Sequence, residues 1–294
     1  TQELTGQFPP AVNQRGVSHW PVVRLVVAHN LANGAALLPC WGPMFGKRAV
    51  SEQALAEQLM DRLPARSTIV GDRNFGVFSV AFAACSKGHE VLIRLTKARA
   101  QRLSGGTLPR RITDLELDWV PSRDERRKHP RLPAEAHIRG RLIVAHLMRY
   151  GQVVVLYLFT TLSLPAEEII ALYGRRWNIE TDLRSLKHTV RLGDLRAKSA
   201  AMVSKELLSA VMAYNLVRAV QLAAAQSVGL DPRDLSFARV RAVVTLWLPI
   251  VLAAGNPEER SQLTARMLSA AARTKLLKRR RRRRYPRAVW GKGA

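Results

Sequence analysis

The sequence predicts an α/β fold that continues into a mostly helical C-terminal part, and three observations carry that prediction. Short apolar, β-branched runs alternate with segments of helical period between residues 22 and 95. A continuous apolar run at 153–159 has the composition of a strand buried on both faces. From Leu164 onward, apolar residues recur at helical spacing.

In chain order, residues 1–16 are polar and rich in turn formers, without the apolar stretch of a secretory signal, and no strand is expected within residues 1–20. Runs 22–29 and 35–41 flank Asn30, Asn33 and Gly34, residues that tolerate positive φ, and predict a β-hairpin. Ser51 is placed to cap a helix to about residue 63, with Ala54, Leu55, Leu59 and Leu63 on one face. A strand at 67–71 ends at Asp72. A turn (Arg73, Asn74), a helix over 76–87 and a strand over 91–95 follow, the order of an α/β layer. Residues 97–150 form a β-rich insertion interrupted by a polar run at 122–130. Pro165, with Glu167 and Glu168 behind it, opens a long helix to about residue 192. Further helices are expected over 202–228 and, in shorter pieces, to residue 278. The expected divisions are therefore 1–96, 97–150, 151–228, 229–278 and a basic tail, 279–294.

Composition narrows the function. The 294 residues are 47% hydrophobic and 23% charged, as in ordinary globular chains, yet 47 Lys and Arg face 22 Asp and Glu, a net +25. Eleven cations and no acid lie in 273–294, so +14 of the +25 belongs to the residues before them. Such a field suits a polyanion better than a small neutral substrate. The longest apolar stretch, 242–255, contains Thr245 and Pro249 and is shorter than the ~18 residues of a membrane span, which argues against insertion. Cys40 and Cys85 are too few for a disulfide framework or a four-cysteine zinc site; both are expected in the core of a cytoplasmic protein. Trp247, Leu248 and residues 250–252 are apolar enough for either core or subunit pairing.

The long helix is the most informative segment. At ~100° per residue, Tyr173, Arg176, Trp177, Glu180, Arg184 and Lys187 share one face, beside an apolar stripe of Leu172, Ile179, Leu183, Leu186 and Val190. Spacing alone also fits ordinary i,i+4 charge pairs on a solvated helix. Tyr173 and Trp177, unfavourable to expose among charges, tilt the face toward binding. Asp72 ends a short strand, where α/β sheets present ligand-binding side chains, although Asp before Arg-Asn is also common turn chemistry. Together, Asp72 and Glu180 offer hard oxygen donors for Mg²⁺ beside a phosphodiester. His188 is expected to be an ordinary helix-surface histidine.

The spacing Tyr173-x2-Arg176-x3-Glu180-x6-Lys187 resembles the signature of the insertion-sequence-four family of bacterial DDE transposases. Asp72-Arg73-Asn74-Phe75-Gly76 is similar to that family's second-aspartate motif, and Ala213-Tyr214-Asn215-Leu216-Val217-Arg218 to its following helix. Weaker likenesses lie at 196–199, Ser236-Phe237 and Tyr285-Pro286-Arg287.

The resemblance implies an RNase H-like mixed sheet with flanking helices, a β-rich insertion before the catalytic-Glu helix and a helical C-terminal part. It implies two Mg²⁺ ions, with Mn²⁺ as substitute, held by two Asp and one Glu for cleavage and transfer of double-stranded DNA at transposon ends. Asp72 and Glu180 would be catalytic metal ligands. Tyr173, Arg176, Trp177, Arg184 and Lys187 would contact DNA, with Trp177 either supporting a flipped base or packing internally. A homodimer on DNA and a nucleoid-associated place in the bacterial cytoplasm follow from the same likeness, with no membrane partner.

One departure bears on activity. The family's first Asp lies on a strand before the hairpin, and no Asp precedes Asp61 here. The expectation is a chain that lacks that N-terminal strand, binds DNA and is catalytically silent as it stands. An inactive remnant, or a repressor that occupies element ends, is the alternative.

Overall fold

The computed structural model describes residues 2–14, 16–108, 113–149 and 152–276 and divides into two compact units, Thr1–Asn215 and Leu216–Ala294. The basic tail at 279–294, and with it Tyr285-Pro286-Arg287, lies outside the described residues.

The first unit opens with α1 (Gln2–Gln7) and an antiparallel pair, β1 (Pro10–Asn13) and β2 (Gly16–Pro21). This corrects the expectation of no strand before residue 20. Val12, Val17 and Trp20 are all exposed, so this pair lacks the apolar-in, polar-out alternation by which a half-buried strand is recognised. β3 (Val23–Val26) and β4 (Cys40–Pro43) form the expected hairpin, shorter than the apolar runs that announced it and confined to a two-stranded sheet of its own. Asn30 Oδ1 accepts from the amides of Ala32 and Asn33 and so makes the turn between them. In α2 (Glu52–Met60), the Ser51 hydroxyl caps the helix by accepting from Ala54 N at 3.0 Å, and Leu55 and Leu59 pack on Cys40 of the hairpin.

Then come β5 (Thr68–Gly71), α3 (Phe78–Ser86), β6 (Glu90–Arg94), α4 (Lys97–Leu103), β7 (Thr113–Trp119), α5 (Arg123–Lys128), β8 (Ile138–Arg149) and β9 (Gln152–Thr160). The five strands make one mixed sheet in the order β5-β6-β9-β8-β7, parallel only between β5 and β6, with the predicted apolar strand β9 in the middle. Its mixed pairing and flanking helices are those of the RNase H-like class. Segment 97–150 supplies β7 and β8 to this sheet. The polar run within it folds as α5, closed by a capping box of Ser122 and Glu125.

Residue alternation assigns the two sheet faces. Val91, Ile93, Leu142, Val144 and Phe159 join Phe78, Ala81 and Ala84 of α3 on one side. Val70, Leu92, Ile143, Ala145 and Leu158 join Ile169 and Tyr173 on the other. Those last two residues belong to α6 (Ala166–Arg175), whose approach is fixed by Arg141 Nη1 donating to the Leu162 and Leu164 carbonyls.

The long helix predicted to residue 192 is three segments. After α6, the amides of Arg176, Trp177, Ile179 and Glu180 bond three residues back, a tight turn placed just after Gly174, the poorest helix former of this stretch. α7 (Asn178–Arg184) follows and loosens into a π-helical turn, Ser185–Thr189, after which Arg191 takes a positive φ of 64°. The single ideal helical face expected from the sequence is therefore broken twice.

α8 (Ala200–Gln226) is by length and composition long and apolar enough to cross a membrane, which the apolar-stretch reading at 242–255 overlooked. Within the first unit, its Tyr214 hydroxyl donates to Gly34 O at 2.8 Å and Asn215 exchanges two hydrogen bonds with the Ala36 backbone. The Tyr-Asn motif thus fastens this helix to the β3–β4 hairpin.

In the second unit, a short 3-10 turn (Pro232–Asp234) precedes α9 (Phe237–Leu252) and α10 (Pro257–Ala272). Arg218 is buried, donates to Gln221 and lies 4.9 Å over the Phe237 ring. The apolar patch of α9 is divided: Val251 is buried, while Ile250 and Leu252 are exposed.

Candidate active site

Because β5 and β6 are parallel, both end at the same rim, and Asp72 and Arg94 each lie one residue beyond the Gly71–Ile93 pair. Each continues, two residues on, the stripe of Val70 and Leu92, so both fall on the α6 side of the sheet. The turn after β5 is tightly made. Asp72 Oδ1 accepts from Asn74 N at 2.8 Å, Asn74 Nδ2 donates to Glu52 and Gln53 Nε2 donates back to Asn74. Asn74 therefore ties the turn to α2. Arg99 of α4 donates to the Gly76 carbonyl and holds the far end of the turn.

Tyr173 arrives from α6 and is 5% exposed. Burial raises its phenol pKa above the usual 10.0; Arg176 and Arg94 oppose that rise and Asp72 adds to it, so all three charges act on one hydroxyl. Arg176 sits 5.7 Å from the Tyr173 ring centroid and pairs with Glu180 at 3.6 Å. Arg176 therefore links Tyr173 to Glu180, while the Asp72 charge acts on the same phenol. Three buried polar atoms of this group lack a hydrogen-bond partner among the described residues: Tyr173 Oη, Arg94 Nε and Arg176 Nε. Orphaned donors are uncommon in folded interiors, and two guanidiniums beside a phenol suit an anion.

The remaining predicted residues follow at the start of α7, at its end and on the π-helical turn. Trp177 is 45% exposed at the start of α7. Arg184 and Lys187 are exposed on α7 and the π-helical turn, with no ion pair or side-chain hydrogen bond among the described residues. The π turn shifts Lys187 from the place an ideal helix would give it. His188 is exposed, as expected of a surface histidine. Arg94 was not singled out by sequence; only its place two residues after buried Leu92, at a parallel strand end, could have marked it.

Asp72 and Glu180 offer the hard oxygens that suit a divalent cation, but among the described residues no three His, Cys, Asp or Glu cluster as a ligand set. The two cysteines take no part: Cys40 is buried, and burial, helped by Glu90, pushes the Cys85 thiol up to about 11.

Residues 23–216 match the family described as the transposase DDE domain. The chain belongs to the DDE transposase family. The match covers β3 through the first part of α8 and so includes the whole rim. The chain is also 27% identical over 289 residues to "Transposase InsG for insertion sequence element IS4" of Escherichia coli (strain K12). That alignment covers 94% of this chain and 61% of the relative, so the chain spans about three fifths of that protein's length. The Tyr-Arg-Glu-Lys spacing that resembles the insertion-sequence-four signature thus occurs in a DDE-family chain similar to a transposase of that element.

Proposed function

We propose that this chain is the DNA-binding catalytic part of an insertion-sequence transposase that cleaves and transfers transposon-end DNA with the help of divalent metal. What supports the reading is that Asp72 and Arg94 end neighbouring parallel strands, that their charges and that of Arg176 act on the Tyr173 phenol, that Arg176 pairs with Glu180, and that three buried polar atoms of Arg94, Tyr173 and Arg176 lack a hydrogen-bond partner among the described residues. Arg94 and Arg176 hold a DNA phosphate, Arg being suited to two-point contact, while the Tyr173 hydroxyl donates a further bond. Trp177, Arg184 and Lys187, all exposed, extend the DNA contact from the start of α7 into the π-helical turn. Asp72 and Glu180 would hold magnesium, or manganese in its place, which supplies activation of the attacking water and stabilisation of the leaving oxygen. Pairing of two transposon ends calls for two copies of the chain on DNA.

A second reading is favoured by the carboxylate count. Among the described residues no three His, Cys, Asp or Glu cluster, where the family's chemistry uses three carboxylates, and β5 is an edge strand of the sheet. The 294-residue polypeptide by itself is then a DNA binder that occupies element ends without cutting them. Incubation with end-sequence DNA and Mg²⁺ separates the two. Duplex binding without strand cleavage supports the binder; cleavage that is lost in Glu180→Gln supports the complete enzyme. Absence of DNA binding at moderate salt overturns both.

A further inference from the structure

The basic helix α5 and its flanks form a surface that the rim chemistry does not use, and we propose that it is a track for the phosphates of duplex DNA, read without regard to sequence. The inference rests on the chain being a DNA binder. α5 has two acids, and both are engaged. Glu125 Oε2 accepts from the Ser122 amide and hydroxyl, each at 2.9 Å, and its Oε1 accepts from Phe78 N at the start of α3. Asp124 pairs with Arg127 at 3.1 Å. Arg126 is turned to the carbonyls of Pro133 and Ala134.

Arg123, Lys128 and Arg131 remain, each with its side chain outside any ion pair or hydrogen bond among the described residues. The helix that carries Arg123 and Lys128 is held in place. Glu125 joins α5 to α3 and attracts Arg99, and Arg99 in turn donates to the Gly76 carbonyl of the Asp72 turn. The positive surface is therefore braced against the turn that carries the candidate carboxylate. α5 buries no residue and has no apolar face, so an interfacial lipid site does not fit, whereas a row of phosphates does.

The test is binding of the full 294-residue chain to a random-sequence duplex across 50–200 mM salt, compared with Arg123→Gln/Lys128→Gln/Arg131→Gln. Removing one phosphate contact lowers the slope of log K against log salt by about 0.9, so a drop of about 2 to 3 and a roughly tenfold or greater loss of affinity are expected, equal on unrelated sequences. Arg241→Gln/Arg260→Gln/Arg266→Gln removes the same charge elsewhere and keeps the wild-type slope. If the helix end is weakened by loss of Lys128, Arg123→Gln/Arg131→Gln retains it and lowers the slope by about 2. An unchanged slope in the α5 variants, or an equal drop in the control, overturns the proposal while leaving DNA binding intact. Failure of the wild type to bind overturns the DNA-binding reading and the inference with it.

Discussion

Gly76 packs so closely on Arg94 that a β-carbon at Gly76 would lie 2.1 Å from the Arg94 carbonyl oxygen. The strand end that presents one guanidinium is thereby locked to the turn that presents Asp72, and the neighbour is backbone, which has little room to yield. Gly76→Ala is expected to destabilise by about 1–3 kcal/mol through overpacking, lowering the thermal midpoint by about 2–4 °C per kcal/mol. DNA affinity should fall with it as Arg94 is displaced. Thermal unfolding and a duplex titration of the one variant check both.

Tyr173→Phe should separate stability from function. The hydroxyl is buried and unsatisfied, so its removal is expected to leave stability unchanged or raise it by about 1 kcal/mol, while duplex affinity declines through loss of a phosphate donor. A pH series adds a second sign. Burial raises the native phenol above its usual 10.0, so as pH climbs past that value the unfolded chain ionises first and wild type loses stability that Tyr173→Phe does not lose. Denaturant midpoints at pH 9 and above, wild type against variant, give the comparison.

Glu125 is the hinge pin of segment 97–150. Burial pushes its carboxyl up, but the Ser122 and Phe78 amides, the Ser122 hydroxyl and Arg99 together hold it below the usual 4.5. Its contribution is therefore present above pH 4.5 and fades as pH falls through the lowered native value. Glu125→Gln is expected to cost about 1 kcal/mol near neutrality, the worth of a helix cap, with the gap to wild type closing in acid. Unfolding free energies at pH 7 and pH 4 test the trend.

How much of this was legible follows from what each pattern reports. Leu92, Ile93, Leu158 and Phe159 are apolar because they are buried, so strands β6 and β9 announce themselves. The pair β1–β2 does not, because Val12, Val17 and Trp20 are exposed and no face alternates. α5 carried its own signal, Ser122 three residues before Glu125, hidden within a run of charges that resembles a loop. At the site, Tyr173, Arg176 and Glu180 are three and four residues apart and stay together even through a tight turn. Lys187 lies beyond a π turn that no residue spacing reveals. Arg94 belongs to the rim only through the pairing of β5 with β6, a relationship between segments 22 residues apart that a linear pattern does not contain.

Glu180 pairs with Arg176, and Asp72 ends the strand beside that of Arg94, so each carboxylate has as neighbour one of the two cations that would take a DNA phosphate, and that arrangement sets the sign of the last experiment. Without divalent metal, Glu180 partly neutralises Arg176 and repels the backbone, so Glu180→Gln is expected to bind duplex several-fold more tightly than wild type. Asp72→Asn should act in the same direction, with Asn74 retaining an oxygen acceptor for its amide. Millimolar Mg²⁺ reverses the order if the two carboxylates share the cation: wild-type affinity rises, while neither variant responds to the same degree. Titrations of one end-sequence duplex with and without Mg²⁺ read the difference directly. A wild-type response to Mg²⁺ that both variants reproduce would place the cation on the DNA alone and remove metal binding from this rim, whatever the phosphate contacts of Arg94 and Arg176 prove to be.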